Sequence, residues 1–252
     1  MTPTILNRFI SAKVNRLKSF AVLIDPDKTD AAACLQLIRH SVENKVDFFF
    51  VGGSLITGNT MGQLIKLIKT NSSIPVILFP GSNLHIDMSA DALLFLSLIS
   101  GRNPELLIGQ HVIAAPVLKK SNLEILPTGY ILIDSGRQTT VSYISNTTPI
   151  PYDKPEIAAC TAMAGEMLGL KLIYLDGGSG AQKQISSRMI ASVRKSVDVP
   201  LIVGGGIRSA EEAAEVMEAG ADVIVIGNGI EKNLNLLAEV SEKVHNYNKA
   251  LS

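Results

Sequence analysis

The chain has 252 residues, of which 46% are hydrophobic, and its 23 Lys and Arg residues balance 23 Asp and Glu residues. This length suits a single domain over residues 1–252, and the neutral charge excludes a surface for nucleic acid or anionic membranes built on bulk charge. No apolar stretch reaches the ~18 residues of a membrane helix, and the N-terminus lacks a signal-peptide core. We therefore expect a cytoplasmic protein without stable membrane insertion, whose 2 cysteines are reduced, buried thiols.

Apolar runs and helical patterns alternate along the chain, which is typical of parallel βα units. A short helix is predicted at 4–17, and a helix capped by Thr29 or Asp30 follows the first strand. Strands are predicted at 20–28, 47–54, 74–82, 92–100, 128–136, 171–181, 201–206 and 222–229. Further helices are predicted at 59–72, 103–121, 158–169 and 186–197, between the last two strands, and from about residue 233.

The third crossover breaks this pattern. Only residues 83–91 separate the third strand from the fourth, which is too short for a crossover helix. The strand pattern with this one defect predicts an α/β fold, a modified (β/α)8 TIM barrel whose crossover helix 3 is missing or replaced and which is open on that side. A doubly wound open sheet is the alternative. The long polar segment 137–155 is expected to form a lid or binding loop.

Glycine-rich turns follow the last three predicted strands, with the sequences YLDGGSG, VGGGIRS and VIGNG. The strand ends of a barrel share one face, so these turns are expected to lie together. Glycine lets backbone N–H groups approach an anion, and the last two turns precede helices whose N-termini attract negative charge. Each turn alone is explained equally well by ordinary turn chemistry. Three neighbouring turns favour a phosphate site.

Asp25 and Ser54 follow the first two strands and are candidate magnesium ligands, because carboxylate and hydroxyl oxygens suit Mg²⁺. Taken alone, Asp25 is explained equally well as a helix cap. Asp27 and Lys28 are interpreted as a solvated turn pair, with Lys28 long enough to reach a phosphate. The 4 histidines are expected at the surface, since none lies at a predicted strand end. A Ser-His-Asp or Cys-His hydrolase is therefore poorly supported.

The motifs LIDPDK, FVGGS, ILFPGS, IYLDGGSGA, LIVGGGIRS and VIGNG, in this order, resemble the geranylgeranylglyceryl phosphate synthase family, the PcrB-like prenyltransferases. The resemblance covers nearly the whole chain and is to the longer archaeal and Bacteroidetes-type branch. It implies a modified TIM barrel with its third helix replaced. It also implies an enzyme of ether-lipid synthesis that joins sn-glycerol 1-phosphate to geranylgeranyl diphosphate, giving geranylgeranylglyceryl phosphate and diphosphate. A homo-oligomer, dimeric or larger, is implied as well.

The resemblance also implies roles for individual residues. Asp25 and Ser54 would bind Mg²⁺, and Asp176 would act as the base that takes the proton of the glycerol hydroxyl. The residues implied to bind glycerol 1-phosphate are Tyr174, Leu175, Asp176, Gly177, Gly178, Ser179, Gly180, Gly205, Gly206, Gly227 and Asn228. The prenyl chain would lie in an apolar groove across the barrel top, toward the third crossover.

The chain departs from the family pattern at two positions. Family members usually carry Glu where this chain has Asp176, and the short branch carries Lys where this chain has Leu23. Other functions stay open from the sequence. They are the same reaction with another donor such as heptaprenyl diphosphate, an unrelated phosphate-binding TIM-barrel isomerase or FMN oxidoreductase, and a barrel used only for binding. A Schiff-base aldolase is disfavoured, because Lys171 begins the sixth strand rather than ending it.

Overall fold

The computed structural model describes residues 4–58 and 60–250, and its centre is a closed barrel of parallel strands. The strands are β1 (Ser19–Ile24), β2 (Phe48–Gly53), β3 (Val76–Pro80), β4 (Ala92–Leu98), β5 (Glu124–Leu132), β6 (Leu172–Asp176), β7 (Leu201–Gly204) and β8 (Val223–Ile226). Each strand pairs with the next one, and β8 pairs with β1. This closure confirms the predicted (β/α)8 barrel and excludes the doubly wound open sheet.

Helices surround the barrel and cover one of its ends. They are α1 (Ile5–Val14), α2 (Ala31–Glu43), α3 (Met61–Asn71), α4 (Gln110–Leu118), α5 (Thr140–Ser145), α6 (Pro155–Met167), α7 (Ser187–Arg194), α8 (Ala210–Glu218), α9 (Asn228–Lys232) and α10 (Asn235–Lys249). Asp30 caps α2, since its side chain accepts a hydrogen bond from the Ala33 N–H at 2.8 Å. Asn59, with which the predicted helix 59–72 begins, lies outside the described residues. No helix of the described ranges is both long and apolar enough to cross a bilayer.

Buried side chains form two layers, one inside the barrel and one between the strands and the helices. This follows from the alternation of side chains along each strand. The helix α1 closes the N-terminal end of the barrel, where the rings of Phe9 and Phe48 lie 4.6 Å apart. Glu124, the first residue of β5, accepts the N–H groups of Ile5 and Leu6 at 2.6 and 2.9 Å. That carboxylate therefore satisfies free donors of the first turn of α1.

The third crossover contains a single 3-10 turn, Asn83–His85, in place of a helix. The prediction of a replaced helix is confirmed, but the sheet is not open there, because Ile77 pairs with Ala92 and Leu78 with Leu93. The missing helix leaves its gap in the outer layer. Beside that gap, the predicted helix 103–121 forms a π-helical turn, Glu105–Gly109, followed by α4.

One further prediction about an element was wrong. β5 begins at Glu124 instead of Thr128, because the run Glu124–Tyr130 pairs with the whole of β4. The polar segment 137–155 contains the short helix α5, and its role as a lid or binding loop stays a prediction. A Thr139 and Ser142 capping box stabilises the start of this short helix.

The structure also corrects the predicted burial of one cysteine and two histidines. Cys34 is buried, and burial raises the pKa of its thiol to about 11, but Cys160 is exposed on α6. His85 and His111 are buried rather than at the surface. The Nδ1 atom of His85 accepts the Gly81 N–H at 3.2 Å, and the His111 ring packs edge-on against Phe95 with centroids 4.4 Å apart. Both rings pack beside the third crossover, so their role is structural there.

Candidate active site

The C-terminal ends of the strands surround a cavity of about 590 Å³. Active sites of parallel barrels lie on this face. The predicted glycerol-phosphate residues that line the cavity are Tyr174, Asp176, Gly178, Ser179, Gly180, Gly205, Gly206, Gly227 and Asn228. Both candidate metal ligands, Asp25 and Ser54, line it as well. The structure therefore brings together residues that are up to 203 positions apart in the chain (Asp25 to Asn228).

Two predicted binding residues do not line the cavity. Leu175 lies between Tyr174 and Asp176 in β6, so its side chain faces outward and is buried between the strands and the helices. Gly177 uses its N–H in the sheet, where it donates to the Gly204 carbonyl at 3.0 Å. The Leu175 side chain and the Gly177 N–H are thus engaged within the protein, and the binding roles of the two residues stay predictions.

The glycine turns place the main chain at the cavity wall. Gly205 and Gly206 follow β7 in the left-handed region, with φ of +86° and +80°. A Cβ atom on Gly205 would lie 2.7 Å from the Gly177 nitrogen, and one on Gly206 would lie 2.5 Å from the Lys183 carbonyl oxygen. Glycine is thus required by both backbone angle and space. The turn after β8 is fixed to the turn after β6 by a hydrogen bond from Asn228 Nδ2 to Ser179 Oγ at 3.0 Å.

Asp176 is a buried carboxylate at the end of β6. Its Oδ2 atom accepts the Tyr130 hydroxyl at 2.5 Å, and its Oδ1 atom accepts the Gly178 N–H at 2.8 Å. Burial raises the pKa of Asp176, and the hydrogen bonds from Tyr130 and Gly178 offset part of that rise. A carboxylate with a raised pKa that lines a cavity has the properties of a general base.

Three aromatic rings form the floor beneath Asp176. The Tyr174 ring stacks on Phe79 with centroids 5.3 Å apart, and Tyr130 lies 5.9 Å from Phe79 and 5.6 Å from Tyr174. Burial and the charge of Asp176 raise the pKa of both tyrosines well above its ordinary value. Tyr130 therefore stays protonated and remains a hydrogen-bond donor to Asp176. Tyr130 was not among the predicted site residues, although a tyrosine within the apolar run of strand five was a visible signal.

Asp25 and Ser54 follow the neighbouring strands β1 and β2 at the cavity wall. The Lys28 ammonium lies 2.8 Å from Asp25 Oδ2, and the Asp27 N–H donates to Asp25 Oδ1 at 3.1 Å. Asp25 does not cap α2, because Asp30 has that role. Asp27 and Lys28 are both exposed in the turn after β1, as predicted, but their contacts are with other residues than each other.

Asp27 instead joins two loops of the site. Its carboxylate accepts the Thr57 N–H at 2.6 Å, the Thr57 hydroxyl at 2.9 Å and the Gly58 N–H at 3.0 Å. These hydrogen bonds lower the pKa of Asp27, and the one from the Thr57 N–H has the largest effect. The loop after β1 is therefore fixed to the loop after β2, which keeps Asp25 and Ser54 on one wall.

Cationic side chains that the sequence analysis missed also line the cavity. Arg137, Arg208 and Lys232 join Lys28 around it. Arg208 donates from Nη2 to the Ala181 carbonyl, so its guanidinium is fixed beside the turn after β6. Arg208 belongs to the VGGGIRS turn, where an arginine two residues after the glycine run was the available signal. These cations offer positive charge to an anionic ligand, while the carboxylates Asp25, Asp176 and Glu231 line the same cavity.

An apolar groove leaves the cavity toward the third crossover. A space of about 110 Å³ shares Gly53, Ser54 and Phe79 with the main cavity. It continues into a further space of about 70 Å³ through Leu96 and Leu106, which line both. Ala114 and Leu118 of α4 line its far end. The groove thus occupies the gap that the missing crossover helix leaves in the outer layer.

Comparison with known proteins agrees with this geometry. The model of the PcrB family matches residues 12–244. The chain belongs to the PcrB family. Geranylgeranylglyceryl phosphate synthase of Spirosoma linguale is 59% identical over 239 residues, which are 95% of this chain and 96% of the relative. The enzyme of the same name from Pyrococcus furiosus is 42% identical over 248 residues, 98% of each chain.

A solved PcrB-family structure shares the whole barrel. It is (S)-3-O-geranylgeranylglyceryl phosphate synthase from Thermoplasma acidophilum in complex with its substrate sn-glycerol-1-phosphate. That structure is 33% identical to this chain and superposes with a TM-score of 0.91 over 96% of this chain and 99% of its own. The two structures therefore share their fold over nearly all of the described residues.

Proposed function

We propose that this chain is a prenyltransferase that joins sn-glycerol 1-phosphate to geranylgeranyl diphosphate, giving geranylgeranylglyceryl phosphate and diphosphate. The observation that carries the proposal is that a glycine-walled cavity lined by four basic side chains, a buried carboxylate and an apolar groove meet on one face. The relatives named geranylgeranylglyceryl phosphate synthase and the Thermoplasma acidophilum substrate complex support it. A phosphate-binding isomerase or an FMN oxidoreductase gives no reason for the apolar groove.

The acceptor phosphate is proposed to bind the turns after β6, β7 and β8. Gly178, Gly205 and Gly227 bring the main chain to the cavity, and Arg208 lies beside them. The Ser179 and Asn228 side chains join two of these turns, so they pre-form the site before the substrate arrives. Binding through the phosphate would place the glycerol hydroxyl at a fixed distance from the reacting carbon of the donor.

Asp176 is proposed to take the proton of the attacking glycerol hydroxyl. One of its oxygens accepts the Tyr130 hydroxyl and the other accepts a backbone N–H, so the carboxylate cannot rotate away from the cavity. The proton leaves the hydroxyl oxygen as that oxygen bonds to the allylic carbon of the donor. Asp176 has a shorter side chain than the Glu of most family members. In this chain the Gly205 turn of the cavity wall lies directly against that side chain.

The donor diphosphate is proposed to bind at the wall formed by Asp25, Ser54 and Lys28. A carboxylate and a hydroxyl lining the same cavity are hard oxygen ligands, and they fit Mg²⁺, which takes few protein ligands and several phosphate oxygens. No group of three or more His, Cys, Asp or Glu side chains in residues 4–58 and 60–250 is arranged to bind a metal by itself. When bound, Mg²⁺ would neutralise the charge of the leaving diphosphate.

Two further features of the enzyme are proposed. Ile108, Val112, Ile113 and Val117 leave 45–65% of their side chains exposed on the π-helical turn and α4, and we assign this face to a second copy of the chain. The mass of the protein in solution would then be a multiple of 26.9 kDa.

Cys34 and Cys160 are both free thiols, as in a cytoplasmic enzyme, and we propose that location.

The groove is tested by filling it. Leu106 lines both apolar spaces, so Leu106→Trp is expected to raise the KM for geranylgeranyl diphosphate roughly tenfold or more, because the indole displaces part of the prenyl chain. A short donor such as geranyl diphosphate is expected to be affected much less. The measurement is steady-state kinetics with donors of increasing length. Leu84→Trp is the matched control, since Leu84 lies near the groove with 88% of its side chain exposed. Equal losses with short and long donors would contradict the groove assignment.

A further inference from the structure

Lys28 occupies one oxygen of the carboxylate that we assign to the metal. Its ammonium nitrogen lies 2.8 Å from Asp25 Oδ2, a distance at which no second cation fits on that oxygen from the same side. The Asp25 side chain is 17% exposed, so solvent does not fully screen this pair. Asp25 Oδ1 already accepts the Asp27 N–H. A divalent cation that binds Asp25 must therefore compete with Lys28.

The surroundings of Lys28 offer it a second position. The side chain of Lys28 is 47% exposed and long, so it moves without disturbing the core. Glu231 of α9 lines the same cavity, and its carboxylate interacts electrostatically with both Lys28 and Asp25. Lys232, the residue after it, also lines the cavity and interacts with Glu231. An ammonium that leaves Asp25 would still have the Glu231 carboxylate of the same cavity as a partner.

We propose that Lys28 neutralises Asp25 in the free enzyme, leaves it when the divalent cation binds, and then contacts the diphosphate that arrives with the cation. This inference rests on the proposed function, because it takes the diphosphate site to be the wall at Asp25. Lys28 would oppose binding of the metal alone and favour binding of the metal–diphosphate complex. The enzyme would thereby load the two together, which is a positive coupling between two ligands.

The test uses Mn²⁺ as the probe and measures binding instead of turnover. For Lys28→Met, the affinity for Mn²⁺ alone, followed by electron paramagnetic resonance, is expected to rise roughly three- to tenfold, because the competing cation is gone. The affinity for inorganic pyrophosphate at saturating Mn²⁺, followed by calorimetry, is expected to fall roughly fivefold or more, because a charged contact is lost. General damage to the site would weaken both. A rise in Mn²⁺ affinity together with a fall in pyrophosphate affinity would identify the exchange.

Two more variants separate the explanations. Lys232→Met removes the same charge from the same cavity without an ion pair to Asp25, so its effect on Mn²⁺ affinity is expected to be less than twofold. Asp25→Asn is expected to abolish Mn²⁺ binding. Unchanged or weaker Mn²⁺ binding by Lys28→Met, or unweakened pyrophosphate binding, would overturn the exchange and leave the metal site standing. Mn²⁺ binding that survives Asp25→Asn would remove the metal site itself and the exchange with it.

Discussion

The Asp176→Asn variant is expected to lose about 10²–10⁴-fold in kcat while its affinity for glycerol 1-phosphate changes little. Asparagine is nearly the same size as aspartate. Its oxygen can still accept the Gly178 N–H and its NH2 group can donate to the Tyr130 hydroxyl, so the floor of the cavity should remain in place. It cannot take a proton at the catalytic pH. Steady-state kinetics together with calorimetric binding of glycerol 1-phosphate separate these two quantities. Unchanged kcat would remove Asp176 from the mechanism.

Tyr130→Phe tests the same assignment through pH. Asp176 must be ionised to accept a proton, so activity is lost as the pH falls through its raised pKa. Because the Tyr130 hydrogen bond lowers that pKa, its removal should raise the pKa further and move the acid limb of kcat/KM to higher pH. The phenyl ring preserves the packing against Phe79 and Tyr174. An acid limb that stays in place would contradict the role of Asp176 as the titrating base.

The Gly205→Ala variant is expected to lose both stability and the phosphate site. Its Cβ atom would lie 2.7 Å from the Gly177 nitrogen and 2.8 Å from Asp176 Oδ1, and φ at this position is +86°. We expect a cost of about 2–4 kcal/mol in the free energy of unfolding, from the backbone angle and the displaced neighbours. The KM for glycerol 1-phosphate should rise at least tenfold, since the turn can no longer approach the phosphate. Denaturant unfolding and steady-state kinetics measure the two effects.

Gly169→Ala is the matched control for this variant. Gly169 has a similar φ of +92°, but a Cβ atom there would meet no heavy atom within 4 Å. It lies between α6 and the N-terminal end of β6, at the opposite end of the strand from the cavity and outside the cavity lining. Only the backbone strain remains, so about 1 kcal/mol of stability and unchanged kinetics are expected. If the two variants behaved alike, the close approach of Gly205 to Gly177 and Asp176 would not be what the site requires.

The features that the sequence alone predicts are those encoded locally. The β-branched runs that end in glycine identify the strands and the face of the barrel where the site lies, and the short segment 83–91 identifies the replaced third helix. Strand alternation also predicts that the Leu175 side chain faces away from the cavity that Tyr174 and Asp176 line. Even there, the boundaries of β5 were wrong, because pairing with β4 extends a strand beyond what its own pattern indicates.

The features that the sequence does not predict depend on register between distant segments. Tyr130 meets Asp176 because β5 and β6 pair with Tyr130 opposite Tyr174, and no local pattern specifies that offset. The apolar groove depends on where the π-helical turn and α4 lie over the third crossover. From the sequence, Lys28 has several possible carboxylate partners. Only the folded loop determines that it pairs with Asp25. Local chemistry thus indicates the phosphate site, and tertiary contacts define the base, the groove and the competing lysine.

The central claim is tested most directly by incubating the purified chain with Mg²⁺, geranylgeranyl diphosphate and labelled glycerol phosphate. We predict that label from sn-glycerol 1-phosphate enters geranylgeranylglyceryl phosphate, with one diphosphate released per ether bond formed. Label from sn-glycerol 3-phosphate should enter far more slowly, because a hydroxyl of the wrong hand would not reach both Asp176 and the allylic carbon. No ether product with any prenyl diphosphate, or equal use of the two glycerol phosphates, would contradict the account.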